Sequence, residues 1–102
     1  MIYNLERDTV TGEVRLEAED EFQALKSFIG SELQEDVSLI NLLLNKLRES
    51  PLKAYELSGN SHTIVIVGEN FEIENHYAED ECLRGLNSDL IELLEKLKIL
   101  LT

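Results

Sequence analysis

The run Thr63-Ile64-Val65-Ile66-Val67 is β-branched or apolar at every position. A strand with one wet face alternates, so an unbroken run of this kind predicts a strand inside a sheet, with neighbours on both edges. Its flanks predict how the neighbours arrive. Ser58-Gly59-Asn60-Ser61 is a turn before it and Gly68-Glu69-Asn70 a turn after it. Tyr55 and Leu57 then mark a preceding strand, and Phe71 and Ile73, alternating with Glu72 and Glu74, a following one with its acids toward water. A three-stranded meander is expected.

Residues 2–7 and 13–17 flank Asp8-Thr9-Val10-Thr11-Gly12, a loop suited to closing a hairpin, with Tyr3 and Leu5 on one face of the first arm and Val14 and Leu16 on one face of the second. From Glu19 the period becomes helical, through Phe22, Leu25, Lys26 and Ile29, until Gly30-Ser31 interrupts it. Ser31 with Gln34 has the spacing of a capping box for a second helix. That helix carries the stripe Leu33, Val37, Ile40, Leu44 and Leu47, widened by Leu43, which must be buried. Pro51 is expected to end it, with Ser50 extended before the proline. Asn87-Ser88-Asp89 supplies an expected N-cap and acidic first turn for a last helix striped by Leu90, Leu94, Leu97 and Leu101.

Length and composition fit one domain, 1–102: 43% hydrophobic and 29% charged residues describe a chain able to build a core. The expected fold is α+β, a five-stranded, largely antiparallel sheet made of the N-terminal hairpin and the central three-stranded meander, with helices packed on one face. Strand order between the two segments stays open. A net charge of −12 argues against unaided binding to nucleic acid or anionic membrane, which are held by Lys and Arg, and favours basic protein partners. Cys82 is the only cysteine, so no intrachain disulfide or cysteine-based metal centre is expected. The opening Met-Ile-Tyr-Asn-Leu-Glu-Arg-Asp has neither the basic start nor the apolar run of a secretory signal, and no stretch has the length of a membrane span, so a cytoplasmic location is expected.

Charge is distributed unevenly. Between Gly68 and Cys82 lie Glu69, Glu72, Glu74, Glu79, Asp80 and Glu81 with no Lys or Arg. This strip, with His76 and Tyr77 inside it, is the expected partner-binding surface, an aromatic anchor with a polar rim. Its rigid half is Glu72 and Glu74 on a strand, and its adaptable half is Glu79 to Glu81 in a loop before the last helix. The structural alternative is a solvated strand face whose charge blunts edge pairing. Glu17, Glu19, Asp20 and Glu21 form a second acidic run whose ordinary explanation is the helix dipole, and it ranks as a second contact face. One histidine beside these acids is a poor metal signal, so no cofactor or metal is expected. Cys82, with His62 or His76 as a base, lacks any accompanying oxyanion motif and is expected to be a packed or idle thiol. No catalytic residue is assigned.

Several segments together carry a resemblance: the opening Tyr3-Asn4-Leu5-Glu6-Arg7-Asp8 with Thr11-Gly12-Glu13-Val14, the stretch Gly59-Asn60-Ser61-His62-Thr63-Ile64 through Glu69-Asn70-Phe71-Glu72-Ile73, and Glu81-Cys82-Leu83 leading into the last helix. In these the chain resembles the YacL-like family of uncharacterised bacterial proteins, and as an acidic member it also resembles the immunity proteins of contact-dependent growth inhibition systems. That resemblance implies a non-enzymatic inhibitor that binds a cognate, basic toxin domain, such as a nuclease, by presenting acidic charge. The other expectation is a housekeeping YacL-like protein, a homodimer or a subunit of an assembly. A homodimer sealed by the leucine stripes is the less favoured arrangement, because such stripes more often cover a sheet.

Overall fold

The β-branched run forms β4, His62–Val67, in a computed structural model that describes residues 2–34, 36–49 and 54–102. It pairs antiparallel on one side with β3, Tyr55–Ser58, and on the other with β5, Asn70–Asn75. Ile64 and Ile66 are fully buried, but on the opposite face Val65 is half-buried and Val67 is 56% exposed. The strand is therefore interior to the sheet while one of its faces remains open.

The sheet expected to have five strands is two sheets. β1, Tyr3–Arg7, and β2, Val14–Ala18, form a separate two-stranded hairpin, and β3-β4-β5-β6 form a four-stranded antiparallel meander. The hairpin loop is closed as its residues suggest: the Asp8 carboxylate accepts from Val10 N at 2.7 Å and Thr11 N at 3.1 Å, which hold its pKa below the ordinary value. Gln34 explains why the hairpin stops at two strands on its β2 side. Its side-chain amide accepts from Val14 N at 3.2 Å and donates to Val14 O at 2.9 Å, occupying the position where another strand would bond. Gln34 thus serves β2 and not the expected capping box.

The sixth strand, β6, Ala78–Leu86, spans the residues expected to be a loop. Its apolar content is low because it is an edge strand, and only one set of its side chains meets the core. The register joins Leu86 to Asn70, Gly85 to Phe71, Arg84 to Glu72, Leu83 to Ile73 and Cys82 to Glu74, then shifts so that Ala78 faces Asn75. Glu79, Asp80 and Glu81 fall in that shift, opposite no residue of β5. The three acids form a bulge, which hid the strand from its sequence pattern.

The helical stretch after β2 begins with a 3₁₀ turn at Asp20–Phe22, runs as α1 over Gln23–Phe28, and loosens into a π turn at Ile29–Leu33 that contains Gly30-Ser31. Then α2, Val37–Arg48, starts at Asp36, whose side chain accepts from Leu39 N at 2.9 Å. The stop expected at Pro51, with Ser50, lies outside the described residues. The last helix, α3, Asn87–Leu101, begins at the residue expected to cap it, and Leu86 takes the cap position. Asn87 is buried and its Nδ2 donates to Gly68 O at 2.9 Å, so this side chain ties the β4–β5 turn to the helix start in place of capping.

One core joins the layers. Ile64, Ile66, Phe71 and Ile73 from one sheet face meet Leu25, Phe28, Ile29 and Leu33, the α2 residues Ile40, Leu43, Leu44 and Leu47, and Leu90, Leu93, Leu94 and Leu97 of α3. Val14 and Leu16 add the hairpin. Each such side chain contributes about 1.5–3 kcal/mol by leaving water.

Candidate functional site

The expected partner-binding residues divide by where β5 and β6 carry them. Glu69 lies in the β4–β5 turn, where its carbonyl accepts from Asn87 N at 2.8 Å. At about 3.3 Å per residue, the six residues of β5 separate it by roughly 20 Å from the β5–β6 turn. Glu69 is not part of one patch with Glu79 to Glu81.

Glu72 and Glu74 project from the open face of the four-stranded sheet, and there the strip meets a cation from outside its own stretch. Arg84, opposite Glu72 in register, donates from Nη2 to Glu72 Oε2 at 2.9 Å. This bond, and a second from Cys82 Sγ to Glu72 Oε1 at 3.3 Å, hold Glu72 below the ordinary carboxylate pKa. Glu72 is a neutralised acid, not a free one. Burial and the adjoining Glu72 and Glu74 carboxylates push the Cys82 thiol up, so it is a protonated donor, consistent with an idle thiol and contrary to an activated nucleophile. Among the described residues Glu72, Glu74 and Cys82 are the group close enough to share an ion. A protonated thiol and a carboxylate already held by Arg84 make a poor ligand set.

His76 and Tyr77 form the β5–β6 turn. His76 is folded back onto the sheet: its backbone N donates to Ser61 O at 2.8 Å and its Nε2 lies 2.6 Å from Thr63 Oγ1. Tyr77 is the anchor left in solvent, 83% exposed, on a turn fixed by the bond from Tyr77 N to Asn75 Oδ1 at 2.9 Å.

The bulge then aims its acids differently. Glu79 and Asp80 are exposed, whereas Glu81 is half-buried and accepts from Asn75 Nδ2 at 2.8 Å and Ser27 Oγ at 3.3 Å. Asp80 and Glu81 line a cleft of ≈ 460 Å³ together with Asp20 and Glu21, and with Gln23, Ala24 and Cys82. Two acidic runs sixty residues apart by number thus share one concavity, with no Lys or Arg in its lining. Five cations pair with acids outside the cleft: Arg15 with Asp8, Lys46 with Glu49, Arg48 with Glu95, Arg84 with Glu72 and Lys96 with Glu92. Clefts lined by one sign of charge focus the field and raise the local concentration of oppositely charged groups. From the sequence, Asp20 and Glu21 belong to an acidic run with an ordinary role at a helix start and rank as a second contact face. No spacing rule links them to Asp80, because their meeting depends on α1 packing beneath β6.

A buried polar network lies behind this surface. The Glu32 carboxylate, on the π turn, accepts from Ser61 N at 2.8 Å, Ser61 Oγ at 2.9 Å and Asn60 N at 3.3 Å. It occupies the space in front of Gly59 where a Cβ would collide with the carboxylate, so this approach favours glycine. Because Ser61 Oγ donates to Glu32, it accepts the proton of His62 Nδ1, 2.7 Å away. His62 Nε2 is then a bare acceptor, buried and without a partner, in a ring packed edge-on against Phe28 with centroids 5.9 Å apart. In a serine hydrolase the imidazole stands between hydroxyl and carboxylate. Here the hydroxyl stands between the other two, with His62 1% exposed, an arrangement that staples the β3–β4 turn to the π turn.

No helix among the described residues is long and apolar enough to cross a membrane. No protein-family model, curated protein or solved structure matches this chain.

Proposed function

We propose that this chain is a non-enzymatic, immunity-type protein that binds and neutralises a basic toxin domain, such as a nuclease, through the acidic cleft between Asp20–Glu21 and Asp80–Glu81. The observation that carries this reading is the convergence of two separate acidic runs on a cleft lined by no cation. Like charges held together oppose folding, and their assembly has a use if a basic surface fills the cleft. Exposed Glu79, Glu74 and Tyr77 extend the surface around it, and Tyr77 provides an aromatic anchor on a fixed turn. Glu72, tied to Arg84, and Glu69, at the far end of β5, contribute little. The test is copurification with basic toxin domains encoded beside this gene, followed by stopped-flow association with Glu21→Lys/Asp80→Lys. The expected result is an association rate lowered at least about tenfold and a weaker dependence on salt. Absence of any complex, or an unchanged rate and unchanged inhibition after charge reversal, overturns the proposal.

The housekeeping, homodimeric alternative is favoured by one observation. Tyr3, Leu5, Ile99 and Leu100 line an apolar cleft of ≈ 330 Å³ between the hairpin and α3, and Ile99 is 73% exposed. Sedimentation equilibrium separates the readings: a concentration-independent dimer abolished by Ile99→Glu supports self-association.

A further inference from the structure

We propose that the free edge of β6 receives an extended Lys/Arg-rich segment of the partner protein as an added strand. This rests on the acidic surface being a face for a basic partner, and it adds how that partner docks.

The edge is open. Among the described residues β6 makes backbone pairs only with β5, and no turn or loop bonds to its other side. An edge of nine residues is about 30 Å long, more than twice the four-residue edge at β3. Such edges are normally blunted by proline, by lysine or by a bulge. From Cys82 to Leu86 there is no proline or lysine, the one charged side chain, Arg84, is drawn along the open face onto Glu72, and the register with β5 is continuous. The bulge is confined to Glu79–Glu81, so this half of the edge remains a regular template for pairing.

Side chains along the edge are left incompletely covered. Leu83 faces the core side but is only half-buried, and Leu86 is 51% exposed, so a neighbouring strand would shield both. In strand addition the backbone supplies affinity and alternate side chains supply specificity. Basic side chains on an added strand would lie beside Glu79 and Asp80, at the end of the edge that opens into the cleft lined by Asp20, Glu21, Asp80 and Glu81. The same charge discriminates against a second copy as occupant, since that would bring together two chains of net charge −12.

The experiment titrates the full chain at low salt with a nine-residue peptide of alternating lysine and valine, and with one of equal charge whose valines are replaced by proline. Amide hydrogen exchange is read residue by residue. The expected result is that the lysine–valine peptide slows exchange of outward-pointing amides between Cys82 and Leu86 at least about tenfold, and that the proline peptide leaves them unchanged. If both peptides bind alike and perturb only residues of the acidic cleft, strand addition is overturned while the acidic docking surface stands. If neither peptide binds, strand addition and the acidic docking surface fail together.

Discussion

His62 and Glu32 share one hydrogen-bonded network, yet they lose their contributions in different pH ranges. Burial is the main cause of the lowered pKa of His62, and it prevails over the attraction of Glu32 and of Glu81 on β6, with His76 nearby acting in the same direction as burial. Below about 6.5 the unfolded chain binds a proton that the folded one does not, so stability falls from there as pH drops, by up to about 1.4 kcal/mol per pH unit, until the lowered folded value is reached. For Glu32, burial opposes ionisation, but the bonds from Ser61 and Asn60 outweigh it and the folded pKa is lowered. Its contribution is complete above about 4.5 and is lost as pH falls through the folded value. Thermal unfolding across pH 8 to 5 is therefore expected to show a decline beginning near 6.5 that is absent from His62→Leu. Parallel curves for the two proteins would exclude the imidazole as the cause.

At the scale of elements, Gly85 decides whether β6 can lie against β5. A Cβ at Gly85 would stand 2.9 Å from Cε1 of Phe71, its register partner, which is almost fully buried. The ring must shift to admit a methyl group, so Gly85→Ala is expected to destabilise by about 1–3 kcal/mol, measured by urea unfolding. Gly30→Ala is the control. Nothing lies within 4 Å of a Cβ there, and alanine lowers the entropy of the unfolded chain, so a gain of about 0.4–1 kcal/mol is expected. Equal effects at the two sites would refute the packing argument. The same two segments mark where the sequence was legible. Periodicity identified β4, β5 and the stripes of α2 and α3, because burial on one face imposes a period. It missed β6, since a bulge of three acids breaks the alternation and an edge strand needs few apolar residues. Gly30-Ser31 suggests a break with a second helix starting there, but the helical stretch runs on through it as a π turn to Leu33 and α2 is capped later, at Asp36. Nothing local distinguishes Ser31 from Asp36 as a cap until Gln34 is known to be bonded to Val14. Of the candidate surface, Asp80 and Glu81 were visible as charge, whereas their meeting with Asp20 and Glu21 is a property of packing.

Across the whole molecule, the proposed docking role would set the −12 charge to work against stability. Asp80 makes no ion pair among the described residues and shares its cleft with Asp20, Glu21 and Glu81, and like charges gathered in one place oppose folding. Glu92, by contrast, is held by Lys96 at 2.9 Å. Neutralising each by one atom exchange separates the two situations. Asp80→Asn is expected to raise the melting temperature by roughly 2–4 °C at low salt, taking up to about 0.5 kcal/mol for a surface change and about 4–8 °C per kcal/mol for a domain of this size. In 1 M NaCl, where the screening length is about 3 Å, the gain should disappear. Glu92→Gln should produce no gain at either salt concentration. A cleft that existed only to keep the chain dissolved would tolerate the loss of one charge. In a docking surface the stabilised Asp80→Asn protein must associate more slowly with a basic partner, so the two measurements move in opposite directions. A rise in melting temperature with an unchanged association rate would place Asp80 outside the contact and return the cleft to ordinary surface charge.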